Sequence, residues 1–243
     1  MDKFRIRIGF FVGIALIWSL IWVSQKSLLN NFFETIPQIT ILLFGLVPTL
    51  GLLIGSFILR RKMDNPNNSL TGGKPFYSLI VVSIPILCLS IIGIKNIFGI
   101  QENLFGIMIG IFTLTYAFLE EYGWRGYLQE DFEGRYNKWL VYVIIGLIWY
   151  LWHWYFLREG NNPQIIMIPI LIAASVGIGE ISKSTKSILI CAAVHGIANI
   201  LFIFGMISNN LSTPNKIIIL FACLAVWIPI IIKIERENTA TNK

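Results

Sequence analysis

Long apolar runs broken by short polar connections organise this chain. Eight of them stand out, at about 8–24, 39–59, 76–94, 104–122, 139–157, 163–179, 187–207 and 217–232. A helix needs about 20 mostly apolar residues to cross the roughly 30 Å hydrocarbon layer, and these runs meet or approach that length. The first and last are short, and Arg5, Arg7, Lys233 and Arg236 can extend them by carrying their charged heads to the lipid headgroups. The first also has the basic start of a secretory leader. It continues as Trp22-Val23-Ser24-Gln25 without a small-x-small cleavage site, so it is expected to stay as a span. The pattern predicts an all-α, polytopic membrane protein of about eight transmembrane helices with a core of spans four to seven.

Composition agrees. Of 243 residues, 56% are hydrophobic and only 13% charged, against about 25% charged in a soluble domain. That excludes an ordinary soluble enzyme and a disordered chain alike. The net charge of +6 does not imply nucleic acid, because the basic residues lie in short clusters between the apolar runs. Assigning the connections alternately to two sides gathers Lys3, Arg5, Arg7; Arg60, Arg61, Lys62, Lys74; Arg125, Arg135, Lys138; Lys183, Lys186; and Lys233, Arg236, Lys243 on one side. Lys26, Lys95, Arg158 and Lys216 fall on the other. Basic residues accumulate on the cytoplasmic side, so both termini are expected there. Usage rich in Ile, Asn and Lys points to an AT-rich bacterial genome, hence a bacterial plasma membrane. Cys88, Cys191 and Cys223 each sit within an apolar run, as packing thiols do.

The connections are short, so no second soluble domain is expected. The longest polar loop, 60–75, carries Asp64-Asn65-Pro66-Asn67-Asn68 and Gly72-Gly73, which favour turns. Residues 127–138 mix Leu128, Phe132 and Tyr136 with charges and predict a short interfacial helix. The Gly106-x-x-x-Gly110 spacing arises readily by chance and carries little weight as a packing motif. No internal repeat is visible, which counts against a transporter built from repeated halves.

The informative residues are those a membrane rejects, since a central charge costs about 2.5–3.5 kcal/mol on insertion scales. Glu120 and Glu121 end the fourth run with Arg125 just beyond, while the chain's two histidines, His153 and His195, lie in the fifth and seventh. At about 100° per residue, Arg125 sits about 40° round from Glu121 and about 140° from Glu120. Glu121 and Arg125 thus form an i,i+4 ion pair, most simply a structural one, and Glu120 is left unpaired by its own helix. His195 and Asn199 are also i,i+4 and share a face. His153 lies within Trp149-Tyr150-Leu151-Trp152-His153-Trp154, whose aromatic bulk can hold an imidazole, although such residues also serve as interface anchors. A lone intramembrane His or Asn is commonly an interhelical hydrogen-bonding group. Three runs carrying such groups point to a shared polar interior.

The order Glu120-Glu121-x-x-x-Arg125-Gly126, Trp149-x-x-x-His153, His195-x-x-x-Asn199 resembles the three motifs of the CAAX protease and bacteriocin-processing (CPBP, or Abi) family of intramembrane endopeptidases. The second motif usually begins with Phe, where this chain has Trp149. The resemblance implies residues 1–103 as three N-terminal spans, 104–207 as the catalytic core of spans four to seven, and 208–243 as the eighth span with a cytoplasmic tail. It implies hydrolysis of a peptide bond in a membrane-associated or lipidated peptide or protein, the lipid bilayer being the other partner. Glu120 would act as general base on a water shared with His153, and His195 and Asn199 would donate to the oxyanion. Glu121 and Arg125 would hold the helix end and orient Glu120, or Arg125 would receive a substrate carboxylate. This mechanism needs no cofactor. The alternative places zinc on Glu120, His153 and His195, with water as fourth ligand; His-Glu-x-x-His is absent. The rival classes are a non-catalytic bacteriocin-immunity or binding protein, and a proton-coupled transporter using the Glu, His and Arg groups as a relay.

Overall fold

Runs of Leu, Ile, Phe and Val at helical spacing, in lipid where every backbone group needs an internal partner, leave the helix as the available element. The computed structural model describes residues 3–35, 46–60, 66–153, 165–203 and 205–241. Its helices are α1 (Lys3–Thr35), α2 (Val47–Arg60), α3 (Pro75–Ile92), α4 (Glu102–Gly123), α5 (Gln129–Glu133), α6 (Lys138–His153), α7 (Met167–Thr185), α8 (Ile188–Ala198), α9 (Gly205–Ser208) and α10 (Thr213–Thr241), with π-helical turns at Trp124–Leu128 and Asn199–Ile203. Among the described residues there is no strand, only an isolated bridge between Ser69 and Ser187.

Within the described residues, each of the eight apolar runs falls on helix. The starts of the second and sixth runs and the end of the fifth lie outside those residues. Among the described residues, five helices are long and apolar enough to cross a membrane: Lys3–Ile21, Pro75–Ile92, Glu102–Glu133, Met167–Thr185 and Thr213–Ala240. Val47–Arg60, Lys138–His153 and Ile188–Phe202 are shorter apolar helices. With this array the chain is an integral membrane protein.

The chain divides into two compact units, each drawn from two segments. The first comprises 1–67 and 119–180. Here α1 and α2 pack on the turn that follows α4. A Cβ added at Gly123 would lie 3.1 Å from Leu52 Cβ and 3.4 Å from the Phe11 ring, so glycine lets α1 and α2 reach the α4 backbone. The ring of Phe11 meets those of Trp124 and Tyr127 at 6.0 and 5.1 Å. Two sequence expectations are corrected in this unit. Residues 127–133 are helical as expected but do not stand apart: they continue α4 through the π-helical turn into α5, with Tyr127, Leu128 and Phe132 buried. Arg7 does not simply reach for headgroups, because its Nη2 lies 2.7 Å from the buried Asp131 carboxylate, which also accepts from Tyr127 Oη.

The second unit comprises 68–118 and 181–243. Pro75 opens α3 at a position where its missing N–H costs nothing, and Gly93 at φ 75° closes it by returning its N–H to Leu89 O at 2.9 Å. The Gly106-x-x-x-Gly110 spacing proves to be a packing motif. A Cβ at Gly106 would collide with the Leu89 carbonyl, and one at Gly110 would come within 3.3 Å of Ile86 Cα. Residues 68–70 of the polar loop strap the start of α8. Ser69 and Lys186 pair through the backbone (N to O, 2.9 Å), Ile188 N–H returns to Ser69 O at 3.1 Å, and Asn68 Nδ2 donates to Ser182 Oγ at 2.9 Å.

Candidate active site

In the first unit α4 delivers two adjacent carboxylates, Glu120 and Glu121, both fully buried. Their different directions follow from the 100° step of the helix. Glu121 accepts from Arg125 Nη1 at 2.9 Å, and Arg125 is itself fully buried. The expected i,i+4 pair is therefore present. The Arg125 guanidinium also lies 5.1 Å from the centre of the Trp149 ring, a cation–π arrangement that ties α6 to the turn after α4.

Glu120 is held differently. Its Oε2 accepts the indole N–H of Trp149 at 2.9 Å and that of Trp124 at 3.3 Å. Its Oε1 is buried and has no hydrogen-bond partner among the described residues. Leaving such an atom unpaired costs about 1–3 kcal/mol, more for a charged group. The expectation that its own helix leaves Glu120 without a partner is corrected, since Trp124 stands one turn further along the same helical path. Both tryptophans are partners of Glu120 that sequence reasoning misses in this role. Trp124 carries a usable signal, because it repeats from Glu120 the i,i+4 spacing that Arg125 makes from Glu121. Trp149 reads in the sequence as aromatic bulk and as the opening residue of the second motif, and neither reading assigns its N–H to Glu120.

His153 closes α6. Its Nδ1 lies 2.9 Å from Trp149 O, the carbonyl one turn back. A carbonyl only accepts, so Nδ1 carries a proton and donates here. Trp152 meets the imidazole edge-on at 4.8 Å and Trp149 lies at 5.9 Å. Trp154, also expected beside it, lies outside the described residues.

The second unit carries His195 on α8 and Asn199 at the first position of the adjoining π-helical turn, both buried. Asn199 Nδ2 has no hydrogen-bond partner among the described residues. The depth of these residues along α8 is set from its start. Ser187 caps the helix by accepting from Ile190 N–H at 3.2 Å, while its hydroxyl also meets Ser78 Oγ at 3.0 Å and donates to Leu70 O at 3.3 Å. The structure thus groups Glu120, Glu121, Arg125 and His153 in one unit and His195 with Asn199 in the other.

The helices that carry Glu120 and His195 both change pitch at the motif itself. In the first, Gln129 N–H reaches Trp124 O, and all five residues of the π-helical turn are buried; in the second the change falls on Asn199. Such turns insert a residue and re-aim the side chains beyond it, and they concentrate at functional sites. Among the described residues no group of three or more His, Cys, Asp or Glu is arranged to hold a metal ion.

Residues 102–201, which contain all three motifs, match the family model described as Type II CAAX prenyl endopeptidase Rce1-like. A curated relative, CAAX prenyl protease 2 of Methanococcus maripaludis, is 35% identical over 51 residues. That stretch is 21% of this chain and spans 19% of the relative's length. Both matches agree with the resemblance carried by the three motifs.

Proposed function

We propose that this chain is an intramembrane endopeptidase that cleaves a membrane-associated or lipidated peptide or protein. The observation that carries the reading is Glu120: a fully buried carboxylate with one oxygen held and the other without a partner among the described residues. In the proposed mechanism Oε1 takes a proton from water that His153 Nε2 also holds. The resulting hydroxide adds to the peptide carbonyl carbon. Asn199 Nδ2 and His195, assigned by the order of the motifs, donate to the oxyanion, and Glu120 returns the proton to the departing amine. Glu121 and Arg125 hold the helix turn that carries Glu120. No step passes through a metal; the zinc alternative would use Glu120, His153 and His195.

The chain is proposed to cross a bacterial plasma membrane eight times with both termini in the cytoplasm, its site opening to the cytoplasmic half of the bilayer. Reporter fusions at the connections test that topology, and a terminus found outside refutes it. The activity test uses purified protein in proteoliposomes with an internally quenched, farnesylated peptide ending in a CAAX box. Glu120→Gln is expected to lower kcat by ~10²–10⁴-fold while the protein stays folded. Turnover by that variant equal to the parent refutes the assignment. Cleavage that persists after metal removal supports the metal-free mechanism, and loss restored by zinc alone replaces it.

A further inference from the structure

We infer that Trp124 and Trp149 are positioning residues that pin Glu120 by one oxygen, Oε2, and so dedicate the other, Oε1, to the reaction; this rests on the endopeptidase reading. An indole N–H only donates, and here two of them converge on one carboxylate oxygen. They approach from different elements, Trp149 from α6 and Trp124 from the turn after α4. A carboxylate turns readily about its terminal torsion, where the energy wells are broad and two-fold. Two donors on the same oxygen remove that freedom and stop the two oxygens from exchanging places.

The donors are themselves held. The Trp124 ring is fully buried and meets the rings of Phe11 and Trp152 edge-on at 6.0 and 6.3 Å. Trp149 is buried with the Arg125 guanidinium over its face. Arg125 thus acts on Glu120 through Trp149, although its own ion pair is with Glu121. A phenylalanine at 149 would keep the ring under Arg125 and lose the bond to Glu120. The indole N–H therefore has a role that aromatic bulk alone does not explain. General-base catalysis depends on such fixed geometry, because misplacement of the reacting atom is costly in rate.

The test is infrared difference spectroscopy of the full chain, with Glu120→Gln subtracted to isolate the Glu120 carboxyl band. That band is expected to move in Trp149→Phe and, by less, in Trp124→Phe, in keeping with the 2.9 and 3.3 Å bonds. On the quenched farnesylated peptide, kcat is expected to fall about tenfold in Trp149→Phe while KM stays within about twofold. If either phenylalanine variant fails to fold, benzothienylalanine at that position keeps the ring shape and deletes only the N–H. An unmoved band, or a moved band with kcat unchanged, overturns the inference. Cleavage retained in Glu120→Gln overturns Glu120 as the general base instead, no cleavage by the parent chain overturns the endopeptidase reading, and either leaves the band result standing.

Discussion

The helices that carry Glu120 and His195 are held by different means. After α4, charged side chains are buried and the surrounding structure compensates them: Arg125 on Glu121, two indoles on Glu120, and the Trp149 face beneath Arg125. On α8 the polar groups, His195 and Asn199, sit among aliphatic neighbours in the chain, and the structure invests in the start of the helix through Ser187 and the strap of residues 68–70. A buried charge needs partners at the atom. A fixed helix end sets the height and direction of a buried amide, which still needs a hydrogen-bond partner of its own.

That contrast is open to measurement. The largest expected effect is on stability: Arg125→Ala leaves Glu121 as a buried charge without its cation and is expected to cost about 3–5 kcal/mol. Thermal unfolding in detergent reads it, and Arg125→Met with Glu121→Gln is expected to recover part of the loss. Next comes Asn199→Ala, expected to keep its melting temperature while losing about 2.7–4 kcal/mol of transition-state stabilisation in the peptide assay. If it destabilises the protein as much as Arg125→Ala does, the comparison fails. Gly106→Leu drives a side chain into the Leu89 carbonyl and is expected to cost about 1–3 kcal/mol by overpacking, read by thermal unfolding. The smallest effect is Ser187→Ala, about 1 kcal/mol for the lost helix cap. Faster amide exchange at the first turn of α8, with the α4 region unaffected, is the sharper readout there.

Much of the candidate site is legible in the residues. The Glu121–Arg125 pair follows from one helical turn of spacing and is present as expected. Trp124 is equally accessible, one turn from Glu120, but tryptophan in an apolar run reads as bulk or interface anchor and its N–H is easily overlooked. The Gly106-x-x-x-Gly110 motif carries little weight in the sequence for a related reason. Small residues four apart are common, and only the backbone of α3 against them reveals the contact.

The sequence by itself determined that the chain is helical and membrane-embedded, and which side chains are costly enough there to matter. Those properties depend on composition and on neighbours within a turn. Tertiary structure alone decided that Trp149 from α6 grips Glu120 and that Arg7 is paired with Asp131. These depend on the approach of segments far apart in the chain, where angstrom-scale distances between atoms outweigh any local preference.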